Sequence, residues 1–332
     1  MSEYRQDGTT GAWVVIAPER NRRPLSHGKA ADHPGPGHGG ACPFCPGNER
    51  LLPPIIEQAA ADGTPGWSTR VVPNKHPALQ PKGDIGPLTV SHQQRLAGFG
   101  YHEVIIESPR HDSDLATFSD SELAAVIRTW QARYAELSAR PGIEAAFVYR
   151  RFGGASGGSL SHPYSQVIAT AIVPPWVAVQ AGWARERHAQ VGRCATCEEL
   201  GHEASTGQRV IEVTRRFLVA VPFAAKSPFE LRVTPFRHQP SFADATAAEI
   251  EDLGPILRRA AARLRAALGN RTCNLVIGSA ASHALDPASA HWSLSIVPDL
   301  LRPHGFELGS GLPVNPSRPE DDAAALRSAR VD

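Results

Sequence analysis

The sequence predicts an α+β fold made of two tandem modules, 1–175 and 176–332, each a mainly antiparallel sheet carrying one long helix. Three observations lead there. The 332-residue chain resembles itself at a period of about half its length, which suits a duplicated domain and not a short-repeat solenoid. In each half a Cys-x-x-Cys pair, a histidine, a stretch of helical periodicity and a second histidine follow in that order. Short β-branched runs cluster around each helix and do not alternate with further helices, which favours an antiparallel sheet.

The first half reads Cys42-Pro-Phe-Cys45, then IIESPRH ending at His111, then SLSHPYSQVIAT containing His162. The second reads Cys194-Ala-Thr-Cys197, then LRVTPFRH ending at His238, then AHWSLSIVP containing His291. From His111 to His162 is 51 positions, and from His238 to His291 is 53. Between them, Ser119-x-x-Glu122 and Thr246-x-x-Glu249 each predict a capping box ahead of apolar residues at helical spacing. Leu123, Ile127, Trp130, Tyr134 and Leu137 mark the face the first helix buries; Ile250, Leu253, Leu257, Leu264 and Leu268 mark the second. Strands are expected around 104–106, 167–173, 217–221 and 275–277. The stretch from Pro174 to Gly192 reads as the connection between modules. Residues 26–41, rich in Gly, Pro and His, read as a surface loop or lid, and no spacing pins its His27, His33 and His38 to a metal.

Lys+Arg 34 against Asp+Glu 33 leaves a net charge of +1 and no broad field for nucleic acid or an anionic membrane, so any phosphate has to be held locally. The N-terminus lacks a basic segment followed by an apolar one, and no run reaches the roughly 18 apolar residues that span a bilayer. A cytoplasmic protein is expected. In that reducing compartment the four cysteines in CxxC pairs point to metal or redox chemistry and not to structural disulfides. Cys273, the fifth, reads as a small core residue.

A borderline-soft ion such as zinc takes thiolates and imidazoles in a tetrahedron, and Cys-x-x-Cys places two thiolates on one turn. The first expected site is Cys42, Cys45, His111 and His162; the second is Cys194, Cys197, His238 and His291. Two zinc ions per chain follow. Four protein ligands leave no vacant position for a substrate, so both ions would be structural. The competing reading is redox cysteines beside hydrogen-bonded core histidines.

The stretches WVVIAPERNRRP, ACPFCPGNE, RVVPNKHPAL, GYHEVIIESPRHD, SLSHPYSQV, PFELRVTPFRH and GFELGSGLPVNP occur in order over nearly the whole chain. On them the sequence resembles the galactose-1-phosphate uridylyltransferase family of the histidine-triad superfamily, and its ending looks more like the ADP-sugar phosphorylase branch. The resemblance implies two histidine-triad modules in one chain, usually paired as a homodimer. It implies nucleotidyl transfer, in which a nucleoside monophosphate passes from a nucleotide sugar to an enzyme histidine and then to a sugar phosphate or phosphate. The family's signature is His-Pro-His-x-Gln, its second histidine the nucleophile. Here it reads His162-Pro163-Tyr164-Ser165-Gln166.

On a strand, side chains two apart share a face, so His162, Tyr164 and Gln166 are expected on one side, with Gln166 able to donate to a phosphoryl oxygen. The resemblance also implies phosphate contacts at Arg20, Arg23 and Ser159, and contacts near the nucleoside base at Asn74 and Lys75. Arg151 stands where the family usually has an asparagine that contacts the transferred phosphate. A solvated surface role is the plain alternative for each. In the second half, His291-Trp-Ser-Leu-Ser-Ile-Val lacks the further histidine or glutamate ligands that family members often place there.

Three functions compete. One is a nucleotidyltransferase-like enzyme acting on a nucleotide sugar or sugar phosphate, with Tyr164 as nucleophile or with no covalent intermediate. Another is a hydrolase, phosphorylase or lyase of altered chemistry on such a molecule. The third is a non-catalytic nucleotide-binding zinc protein. A phenol titrates at about 10 against about 6.5 for imidazole, so a nucleophilic tyrosine needs a base or cation, and Arg150 or Arg151 is the expected neighbour.

Overall fold

A computed structural model describes residues 1–22, 42–60, 66–82, 88–90, 92–154, 162–280 and 285–331. In chain order the elements are β1 (Glu3–Gln6), β2 (Trp13–Ile16), β3 (Glu57–Ala60), β4 (Trp67–Pro73), β5 (Leu88–Val90), β6 (Gln93–Arg95), β7 (Gly100–Ile106), α1 (Asp120–Ser138), β8 (Ala145–Phe152), β9 (Tyr164–Thr170) and α2 (Pro175–Val191). They continue with α3 (Ala195–Thr206), β10 (Val210–Val213), β11 (Phe217–Ala220), β12 (Leu231–Pro235), α4 (Ala247–Leu268), β13 (Cys273–Ala280), β14 (Leu294–Pro298), α5 (Gly305–Ser310), β15 (Val314–Asn315) and α6 (Pro319–Ser328).

Both long helices start where their sequences say. Ser119 accepts from the Glu122 N–H and Thr246 from the Glu249 N–H, and each glutamate reaches back to its cap, so two otherwise orphaned N–H groups are satisfied at each start. The predicted apolar faces are buried: Leu123, Ile127, Trp130, Tyr134 and Leu137 on α1, and Ile250, Leu253, Leu257 and Leu264 on α4, with Leu268 partly buried against the same core. The two helices pack together on one side of the sheet. At Gly254 a Cβ would stand 3.0 Å from Leu123 Cβ, tighter than an ordinary contact, so glycine eases the close approach of the two helices.

The sheet runs β10-β11-β12-β14-β13-β8-β9-β7-β4-β3, antiparallel throughout. Its order is palindromic about the β13–β8 pair, since β8, β9, β7, β4 and β3 on one side correspond to β13, β14, β12, β11 and β10 on the other. The two modules therefore share one sheet. Joining β8 to β13, from Cys273↔Phe152 to Ala280↔Ala145, pairs strands that would otherwise be open edges and leaves one hydrophobic core under both helices. The N-terminal hairpin β1–β2 crosses to the second half, where β2 pairs in parallel with β15.

One sequence expectation shifts. The strand expected at 167–173 is β9, which begins at Tyr164 and ends at Thr170, because its partner β7 runs out at Gly100. The connection from Pro174 to Gly192 is made by helix α2, with proline in its first turn and Gly192 closing it at φ 71°. Cys273 lies in the core as expected, and burial pushes its thiol up to about 12.

Candidate active site and metal centres

Each Cys-x-x-Cys turn meets its two histidines. In both sets of four, the ligand atoms lie within 4.8 Å of one another. In the first, Cys45 Sγ is 3.4 Å from His111 Nδ1 and 3.7 Å from His162 Nδ1, and Cys42 Sγ is 3.8 Å from His162 Nδ1. In the second, Cys197 Sγ is 3.4 Å from both His238 Nδ1 and His291 Nδ1, and Cys194 Sγ is 3.9 Å from His291 Nδ1. A zinc tetrahedron with bonds of about 2.3 Å to sulfur and about 2.05 Å to nitrogen puts S and N roughly 3.6 Å apart, so both sets fit the ion.

The outer nitrogens fit as well. His162 Nε2–H donates to the Ser108 carbonyl at 2.7 Å, His291 Nε2–H to the Pro235 carbonyl at 3.0 Å and His238 Nε2–H to the Pro287 carbonyl at 2.8 Å, leaving the Nδ1 lone pairs directed at the metal position. Burial, helped by the neighbouring histidine, lowers His162 and His291 to about 4, so both rings are neutral at physiological pH. Burial and the partner cysteine push Cys45 up to about 11 and Cys197 up to about 12, so a metal entering either site must displace protons. A redox pair favours a stabilised thiolate, and these thiols have the opposite bias.

From the first centre β9 carries the chain along the sheet. Ser165, Val167 and Ala169 face the core, where Ser165 Oγ accepts from Trp130 Nε1 at 2.7 Å. Tyr164 and Gln166 therefore share the opposite, partly exposed face. Tyr164 lies edge-on to Phe44, with ring centroids 5.6 Å apart, and packs on the cluster of Phe44, Trp67, Val72, Val104 and Ile106. Gln166 pairs with Val104 on β7 and Tyr149 on β8. Its Oε1 accepts from Asn74 Nδ2 at 3.0 Å and His102 Nε2 at 2.8 Å, and His102 Nε2 is also 3.0 Å from Tyr149 Oη.

Asn74 is thus brought to Gln166, whereas no hydrogen bond among the described residues joins the exposed Lys75 or Arg20 to this face. Arg151 lies on the same face of β8 as Tyr149 and reaches Asp299 at 3.4 Å. Arg23, Ser159, His27, His33 and His38 lie outside the described residues. Arg150 overturns one expectation: strand alternation turns it to the core face, where its Nε donates to buried Glu107 at 2.8 Å and 2.9 Å, so it is no neighbour for the Tyr164 hydroxyl. His102 and Tyr149 escaped sequence reasoning. The signal was faint: each is a polar residue on the outward phase of an apolar strand.

The second half places Arg232 and Val276 on either side of Ser295. Arg232 binds Asp7 at 2.8 Å and Thr9 Oγ1 at 3.0 Å, and lies 3.5 Å from Glu199 of α3. Burial opposes its charge, but Asp7, Glu199 and Glu230 outweigh it and hold the guanidinium protonated. Burial likewise opposes ionisation of Asp7, but Arg232 and Thr9 lower its carboxyl to about 2.

Fold and site define an enzyme class: an α+β protein of two halves on one sheet, with a cysteine–histidine set that fits a metal ion at the head of a polar strand face. Galactose-1-phosphate uridyl transferase, N-terminal domain, matches residues 1–174. ADP-glucose phosphorylase of Arabidopsis thaliana is 30% identical over 99% of this chain and 93% of its own. Galactose-1-phosphate uridylyltransferase of Thermotoga maritima is 24% identical over 78% of this chain and 74% of its own. A crystal structure of an Arabidopsis thaliana ADP-glucose phosphorylase with bound ADP-glucose superposes with a TM-score of 0.85, at 28% identity and full coverage of both chains. The chain belongs to the galactose-1-phosphate uridylyltransferase family. No helix among the described residues is long and apolar enough to cross a membrane.

Proposed function

We propose that this protein transfers a nucleotidyl group from a nucleotide sugar of the ADP-glucose kind to phosphate, at the face carrying Tyr164 and Gln166, by direct displacement. Phosphate oxygen attacks the phosphorus of the adenylyl group and the bond to glucose 1-phosphate breaks, giving ADP and glucose 1-phosphate. The substrate class is supported by the similarity to ADP-glucose phosphorylase along the whole chain. Two zinc ions, one in each cysteine–histidine set, would hold the folded frame. The first module, 1–175, carries the chemistry and the second, 176–332, completes the sheet.

One observation carries the direct route. Tyr164 sits at the nucleophile's place, two residues after His162, against the Phe44 ring, while Arg150 faces the other side of the sheet and Arg151, on the same face, is paired with Asp299. An ordinary phenol titrates at about 10 and attacks only when a base or cation activates it. Tyr164 is better suited to donate its O–H to a phosphoryl oxygen beside the Gln166 amide.

Purified protein given ADP-glucose and phosphate should release ADP and glucose 1-phosphate. Tyr164→Phe should slow turnover by roughly tenfold, the worth of one hydrogen bond, without abolishing it. Intact mass after incubation with ADP-glucose alone should be unchanged, and a stable adenylyl adduct mapped to Tyr164 would overturn the direct route. Tyr164→His restores the family signature and should gain such an adduct.

A further inference from the structure

Gln166 presents an amide whose two ends are alike in size, yet only the nitrogen end can donate to a phosphoryl oxygen. Its surroundings decide which end is available. The His76 N–H donates to Asn74 Oδ1 at 2.9 Å, so the other end of Asn74, Nδ2, is the one that donates to Gln166 Oε1. The Ala78 N–H lies 3.1 Å from His102 Nδ1. A backbone N–H cannot accept, so Nδ1 carries the lone pair and the neutral ring holds its proton on Nε2.

From Nε2 that proton is shared between Gln166 Oε1 at 2.8 Å and Tyr149 Oη at 3.0 Å. The opposite tautomer would set two N–H groups face to face at Ala78 and a ring lone pair against the Gln166 oxygen. Asn74 Nδ2 and His102 Nε2, 3.1 Å apart, are two donors converging on that oxygen. With its oxygen so occupied, Gln166 has its amide nitrogen left for a ligand. Tyr149 accepts from His102 and keeps its own O–H to donate, and burial, together with nearby Tyr164, raises its pKa and keeps it protonated.

We infer that His102 is a positioning residue: with Asn74 it passes the polarity of two backbone N–H groups to Gln166 and Tyr149, so that this face presents donors and selects an anionic phosphoryl group. The identity of the ligand rests on the nucleotide-sugar reading above. The polarity rests on the backbone of residues 76–78.

Nitrogen-15 spectra of histidine-labelled, ligand-free protein should show His102 as the Nε2–H tautomer, and the Nδ1–H form would overturn the inference. Calorimetry with ADP and with adenosine supplies a second readout. His102→Leu should weaken ADP binding by about tenfold while leaving adenosine binding unchanged, as for one lost donor to an anion. His102→Gln, whose amide can donate in place of Nε2–H, should recover most of that loss. Equal losses for ADP and adenosine, or no difference between the leucine and glutamine variants, would mean that His102 only packs. Wild-type protein that binds neither compound sinks the nucleotide reading, and the ring tautomer then decides the polarity by itself.

Discussion

Gln166 and Ser295 hold corresponding places in the two halves of one sheet, and their neighbours differ in what they can bind. Across β7, β9 and β8 the row is Val104, Gln166 and Tyr149; across β12, β14 and β13 it is Arg232, Ser295 and Val276. In the first half the row meets His102 and Asn74, a set of hydrogen-bond donors suited to a ligand. In the second, Asp7 from the N-terminal segment and Glu199 from α3 close over Arg232. The features that make the fold, the cysteine–histidine centres and the capped helices, are the same in both halves. The row of donors on which the proposed chemistry rests is present in one. A repeated scaffold can carry a row of donors on one copy of a face and dock its own chain on the other.

The largest effect that tests this difference comes from the metal centres. Elemental analysis should find two zinc ions per chain, and Cys42→Ser and Cys194→Ser should each remove one and lower thermal stability, because the binding free energy of a closed site adds to folding. Only Cys42→Ser should also abolish turnover, measured at a temperature where both variants remain folded, since His162 anchors the strand that carries Tyr164 and Gln166. Equal loss of turnover in the Cys194→Ser variant would mean that the second half shares in the chemistry.

A smaller effect probes the charged plug. Asp7 is buried and held at about 2 against an ordinary value of 3.8, so it is a lowered carboxylate: its stabilisation is complete above about pH 4 and is lost as pH falls toward about 2. Asp7→Asn should cost roughly 2 kcal/mol at pH 7 in denaturant unfolding, and its gap from wild type should close between about pH 4 and about pH 2. A constant gap over that window would assign the loss to packing and not to the charge pair with Arg232. Turnover of the folded variant should be unaltered.

The smallest effect should be the most symmetrical. Ser119→Ala and Thr246→Ala each remove one cap and should each cost about 1 kcal/mol, measured by thermal or chemical unfolding. A difference of more than about 1 kcal/mol between them would show that the shared core does not weigh the two helices equally.

Legibility followed locality. The capping boxes at Ser119 and Thr246 and the buried faces of α1 and α4 were readable because each is set by contacts a few residues away along the chain. Helix α2 was not: among its residues only Val177 is buried, so it carries no apolar period, and Pro174-Pro175 reads as an interruption. Strand β9 was misplaced by three residues at its start because its limits are set by β7, some sixty positions earlier. Arg150 and Arg151 look interchangeable in sequence, but a one-residue step on a strand sends Arg150 to Glu107 in the core and Arg151 to the face of Tyr149.

By itself the sequence determined the duplication, the α+β class, the two long helices and both cysteine–histidine ligand sets, because capping, helical periodicity and metal chemistry depend on residue type at short or repeated spacing. Only the tertiary structure decided that the halves fuse through β8 and β13, that His102 and Tyr149 join Gln166, and that Arg232, beside Ser295 in the second half, meets Asp7 instead. Those outcomes depend on strand register across long separations, and register is settled by which edges pair and which faces bury together, quantities that no local stretch of chain contains.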